Sequence, residues 1–115
     1  MGWNKIINLK FMADIQQVIA QRGTANTPEI LSSATALSAN TDRGGFLIQN
    51  LGTNVLFVRL GSGASTTVFH FALKAGSGND DGTGGSISMG IDGPLVYTGI
   101  ITIAGTSPRY VAFEL

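Results

Sequence analysis

From residue 41 onward, apolar and polar positions alternate in short runs separated by glycine-rich stretches. Side chains two apart share one face of an extended chain, so each run predicts a strand. Phe46-Leu47-Ile48-Gln49-Asn50 is the first, and Val55-Leu56-Phe57-Val58-Arg59-Leu60 the second. Leu51-Gly52-Thr53-Asn54 lies between them as a turn, which predicts a hairpin. Thr67 to Lys74 predicts another strand, with Phe69, Phe71 and Leu73 as its core face because no charge falls among them. Shorter strands follow at Ser86–Met89, with Ile87 and Met89 inward, at Leu95–Tyr97, and at Ile100–Ala104. In Arg109–Leu115, residues Tyr110, Ala112 and Glu114 face one way, and Val111, Phe113 and Leu115 the other. That pattern ties the end of the sequence into a sheet. Asp92-Gly93 and Gly105-Thr106-Ser107-Pro108 are turn signals. The expected fold is all-β, a small β-sandwich or β-barrel of about six to eight short antiparallel strands.

Residues 1–40 read differently, with glycine only at positions 2 and 23. Phe11, Met12, Ile15, Val18 and Ile19 fit one stripe of a short helix; an extended N-terminal arm with apolar anchors is the alternative. A helix this short is marginal alone, so either form needs a surface to bury its apolar side. Arg22 to Pro28 reads as a linker, and Ile30 to Leu37 as a further strand. The expected organisation is an arm or helix plus linker over 1–40 and a β domain over 41–115.

Composition sharpens this picture. The chain has 115 residues, 43% of them hydrophobic, enough for one domain with a modest core rather than a disordered chain. Charged residues are only 12% and the formal net charge is zero, so nothing steers the chain toward nucleic acid or an anionic membrane. A surface so poor in charge suits a protein that meets other protein. Cysteine is absent, which excludes disulfides, thiolate catalysis and cysteine-based zinc sites. No apolar run is long enough to span a bilayer, and the first residues lack the apolar core of a secretory signal. Gly2 is not followed by the Ser or Thr at position 6 that myristoylation favours; Ile6 stands there.

Candidate chemistry is sparse. His70 is the only histidine, without partners for a metal site, and Gly61-Ser62-Gly63-Ala64-Ser65 does not match a nucleophile elbow. Asn79-Asp80-Asp81 offers oxygens in a glycine-rich loop but lacks calcium-loop spacing, so a solvated turn is the simpler reading. Arg43, Arg59 and Arg109 are dispersed and read as interface or edge charges. No catalytic, cofactor-binding or metal-ligating residue is therefore expected. Partner binding is expected in the arm, at Trp3, Ile6, Ile7, Phe11, Met12 and Ile15.

The stretch Arg43 to Val58, with Ile48-Gln49-Asn50, Gly52, Asn54 and Leu56-Phe57-Val58, resembles a hairpin pattern of short structural proteins of tailed phages. The resemblance extends through the acidic glycine-rich loop at Asp80–Gly85, through Tyr97-Thr98-Gly99-Ile100-Ile101-Thr102-Ile103, and to the last strand. It covers residues 43–115. It implies a head decoration (cement) protein: a non-enzymatic β module on the outside of the virion head, made in the host cytoplasm. The implied partners are the major capsid protein and other copies of itself, with a trimer as the first expectation, and neither nucleic acid nor membrane. A head-fibre, neck or tail part with a receptor- or glycan-binding role is the alternative.

Overall fold

Two-residue periodicity decides which side chains meet in the core. The computed structural model describes residues 29–30, 33–90 and 95–115. They form eight strands: β1 Glu29–Ile30, β2 Ser33–Leu37, β3 Phe46–Asn50, β4 Leu56–Leu60, β5 Phe71–Leu73, β6 Ser86–Met89, β7 Ile101–Ala104 and β8 Arg109–Glu114. No helix occurs among the described residues. The strands make two four-stranded sheets, ordered β1-β8-β3-β6 and β2-β7-β4-β5, and every strand pair is antiparallel. The fold is all-β and sandwich-like, as the alternation predicts. Residues 29–30 and 33–37, ahead of residue 41, pair into both sheets.

The core lies between the sheets. Phe46, Ile48, Tyr110 and Ala112 enter it from the first sheet, and Leu37, Leu56, Val58, Leu73, Ile101 and Ile103 from the second. Ile87 and Met89 of β6 pack against it, facing inward as their alternation predicts. Burying large aliphatic and aromatic side chains contributes roughly 1.5–3 kcal/mol each, which is the main favourable term available to a module this small.

Three expectations are corrected. First, β3 and β4 do not form a hairpin: they lie in different sheets, and residues 51–55 carry the chain across the sandwich. Phe46 and Ile48 on β3, like Leu56 and Val58 on β4, must all reach one core, and facing sheets satisfy both sets. Second, the strand expected over Thr67–Lys74 shrinks to β5. The Ser65 hydroxyl accepts from the Thr67 and Val68 amides and folds that stretch into a turn. Phe69 consequently leaves the expected core face and leans on the Phe57 ring, with centroids 4.7 Å apart. Third, Leu95–Tyr97 is not a strand, and Leu95 is 82% exposed. The carbonyls of Tyr97, Thr98 and Gly99 are taken by Arg43 Nη1, the Asn40 amide and Arg43 Nη1 again, so they are not offered to a ladder.

The crossing after β3 depends on a polar side chain in the core. Asn50 shares the inward face of Phe46 and Ile48 and is 1% exposed. Its Nδ2 donates to the carbonyls of Asn54, Leu73 and Lys74 at 2.8, 3.2 and 3.1 Å. Its Oδ1 accepts from the Gly52 amide at 2.9 Å. One side chain therefore shapes the crossing and joins β3 to the end of β5 in the opposite sheet. Such a group stabilises only while fully satisfied, and no buried side-chain nitrogen or oxygen among the described residues lacks a partner.

Asn50→Asp places a carboxylate against three carbonyls and removes every donor. It is expected to lower the unfolding free energy by about 3 kcal/mol, and Asn50→Leu by about 2 kcal/mol. Urea denaturation measures both, and a loss under about 0.5 kcal/mol, the range of neutral surface changes, would refute the role given to Asn50.

Candidate interaction surface

Four of the described charged side chains are paired within the module, Arg43 with Glu114 and Arg109 with Asp80, while Arg59 stays on the outer side of β4 and Lys74 is exposed. Arg43 was expected as an interface or edge charge; its side chain is instead wholly buried. Its Nε donates to Glu114 Oε2 at 2.7 Å, its Nη2 to the Ser38 carbonyl at 2.6 Å, and its Nη1 to the carbonyls of Tyr97 and Gly99 at 2.8 and 3.0 Å. The guanidinium also lies 5.9 Å from the centre of the Phe46 ring. Glu114 takes a second bond, from Asn40 Nδ2 at 3.3 Å. The planar five-donor fork of arginine suits a site where one carboxylate and several carbonyls converge.

The glycine-rich loop after β5 is fastened by its own acids. Arg109 grips the Asp80 carboxylate with two nitrogens, Nε at 2.7 Å. Asp80 also donates its amide to the Leu51 carbonyl, and it adopts a left-handed backbone with φ 60°. Asp81 Oδ1 accepts from the Thr83 hydroxyl and amide. The hydrogen bond from Arg109 holds the Asp80 carboxyl below its ordinary range, and the Asp80 carboxylate in turn raises Arg109. The Thr83 hydroxyl lowers Asp81. Of the three residues considered for calcium, Asp80 and Asp81 thus have carboxylate oxygens engaged by protein donors. Among the described residues, no cluster of three or more His, Cys, Asp or Glu could hold a metal ion.

His70 is exposed and lies just before β5. Its Nδ1 accepts from the Leu60 amide at 3.0 Å, while its own amide donates to the Val58 carbonyl. It extends the pairing of β4 with β5 by one residue. A shallow, open groove of about 210 Å³ runs between β2 and Gly63–Ala64. Its side chains, from Ser33, Ala34, Thr35, Ala64, Thr102 and Ile103, carry hydroxyls and methyls and no charge. The Thr102 hydroxyl is committed to the Gly61 carbonyl and the Ala64 amide.

The surface left for partners is mainly apolar, with Arg59 on the outer side of β4 and the exposed Lys74 among its few charges. On the outer side of the second sheet the Phe57 and Phe69 rings meet at a tilt of 53°, and Val55, Val68 and Phe69 are each at least 40% exposed. On the outer side of the first sheet, Leu47, Val111 and Phe113 are half-buried neighbours. The arm residues Trp3, Ile6, Ile7, Phe11, Met12 and Ile15 lie outside the described residues. The sequence reading assigned Asn50 and Glu114 no buried polar role and put Arg43 at the surface. Strand parity could have found two of them: Asn50 follows Phe46 and Ile48, and Glu114 follows Tyr110 and Ala112. No protein-family model matches the chain, and neither a curated protein nor a solved structure shows significant similarity to it. No described helix is long and apolar enough to cross a membrane.

Glu114→Gln removes the counter-charge of Arg43. Because Glu114 keeps 23% side-chain exposure, the expected loss is about 2 kcal/mol, below that for a fully buried pair. In an Arg43→Met background the same change is expected to cost much less, and equal costs in both backgrounds would disprove the coupling. The loop should respond to acid. Asp80 and Asp81 have depressed pKa values in the folded chain, so their contribution is complete above the ordinary Asp value and is lost as pH falls through the lower folded values. Amide exchange over residues 76–85 is expected to quicken in that acid window while β3 and β7 stay protected, and Asp80→Asn should reproduce the effect at pH 7. Unchanged exchange in both cases would rule out this anchoring.

Proposed function

We propose that this chain is a structural virion protein, a decoration or cement protein bound to the outside of a tailed-phage head. In this reading the β module sits on the shell and stabilises contacts between major capsid subunits. The arm at Trp3 to Ile15 reaches over neighbours, and linked contacts raise avidity. Copies of the chain associate around local three-fold positions, giving a trimer. The protein carries out no reaction of its own.

The observation that carries the proposal is where the charge goes. A buried arginine is matched by Glu114, a second arginine is tied to Asp80, and Leu47, Val111 and Phe113 on one sheet and Phe57 and Phe69 on the other give the outer sides apolar groups beside a few polar ones and Arg59. A module with so little free charge and so much apolar exterior suits burial in an assembly. The resemblance of residues 43–115 to phage structural proteins supplies the virion context. His70, bonded to the Leu60 amide, favours the non-enzymatic reading. For the glycan-binding alternative, a stacking platform needs exposed aromatic rings. Tyr110 is buried and Tyr97 packs against the core, so neither favours it.

The test mixes purified full-length chain with undecorated heads of the phage that encodes it. Saturable binding and greater resistance of the heads to heat or chelators are expected. A chain lacking residues 1–25 is expected to keep its β-sheet circular dichroism and lose binding. Full-length chain that ignores the heads would reject the cement role, and a truncated chain that decorates normally would reject the arm mechanism.

A further inference from the structure

The edge strands of the sandwich are guarded unequally. An exposed edge is a template for pairing, and proteins blunt it with short length, charge, proline or a bulge. β1 has two residues, β2 is broken by a register shift between Thr35 and Leu37, and β5 has three residues bounded by His70 and Lys74. β6 is short too, at four residues, but has none of the other devices. Ser86-Ile87-Ser88-Met89 carries no charge and no proline, and pairs in unbroken register with β3 along its length. Among the described residues it is the end strand of its sheet. Glycines at both ends seat it: a side chain on Gly84 would collide with the Asn50 carbonyl, and one on Gly90, at φ 78°, with the Gly44 carbonyl.

The direction of its backbone groups follows from one bond. The Asn50 amide donates to the Gly85 carbonyl, and residues in an antiparallel ladder alternate between bonding one neighbour and the other. Residues 85, 87 and 89 therefore face β3, and Ser86 and Ser88 turn their N–H and C=O groups outward. We propose that β6 pairs antiparallel with β6 of a second copy about a two-fold axis, with Ile87 opposite Ile87 of its partner. In that register Ser86 of each copy faces Ser88 of the other, the pairing in which outward N–H and C=O groups can bond. Roughly four backbone hydrogen bonds would form by this alternation. The faces also agree: Ile87 extends the inward row, and Ser86 and Ser88 extend the exposed outer row. A shift of one residue would set Ile87 against Ser88 and mix the faces. The strand is thus self-complementary in one register, as an isologous interface requires. This pairing is independent of the virion role and makes a two-fold contact, unlike a three-fold ring.

The test uses the full chain in sedimentation and amide-exchange experiments. A dimer is expected, with slow exchange at the Ser86 and Ser88 amides. Ser88→Pro removes an outward N–H while leaving the bonds to β3, so the fold should persist and association weaken by roughly tenfold or more. The double change Ser86→Lys and Ser88→Lys sets like charges opposite one another across the interface and is expected to give monomers, even if the proline variant does not fold. Ser86→Thr should leave the dimer intact. A chain that stays monomeric at every concentration, or an oligomer that survives the lysine pair with fast-exchanging Ser86 and Ser88 amides, would overturn the proposal.

Discussion

Strand β3 is tied to the opposite sheet at both ends by a buried polar side chain, and the sandwich depends on those two ties. At its start, Arg43 joins Glu114 of β8 to the Ser38, Tyr97 and Gly99 carbonyls, which flank β2 and β7 of the facing sheet. At its end, Asn50 joins Gly52 to the Leu73 and Lys74 carbonyls at the end of β5. Hydrophobic burial draws the sheets together without specifying register. The polar ties set it, because a slip would strand a guanidinium charge or an amide away from water. The interior between them is then free to be wholly apolar.

The alternation of side chains was readable along β3, β6 and β8, and it placed Phe46, Ile48, Ile87 and Met89 correctly. Pairing was less readable, because it is decided by groups distant in sequence. Nothing in Leu51-Gly52-Thr53-Asn54 distinguishes a hairpin turn from a crossing; the Asn50 amide, bonded to carbonyls 23 and 24 residues away, makes the difference. Leu95–Tyr97 has the pattern of a strand, but Arg43, 54 residues earlier, takes the Tyr97 carbonyl. The candidate surface was legible only as a shortage of charge. Phe69 reaches it because the Ser65 hydroxyl turns the chain, a local polar effect that apolar periodicity does not register.

The pattern that resembles phage structural proteins takes on a specific meaning. Arg43, Asn50, Gly52 and Asn54 are four of its polar and glycine positions, and each has a structural duty. Gly52 lies so close to Arg109 that an added side-chain carbon would sit 3.2 Å from its Cβ, and Asn54 Nδ2 donates to the Thr106 carbonyl. The motif thus describes how a chain crosses from one sheet to the other and locks there.

The position of β8 also governs timing. It lies between β1 and β3, so the centre of the first sheet is filled by the strand that comes last among the described residues. As the chain leaves the ribosome, β3 can meet β6, but β1 has no neighbour, Arg43 has no Glu114, and Phe46 is covered on one side only. Closure waits for residues 109–114 and then joins segments about 60 to 80 positions apart, a slow kind of search. A nascent chain would hold its apolar rows open until that moment, which makes the interval before β8 emerges the period when it is most exposed to wrong partners.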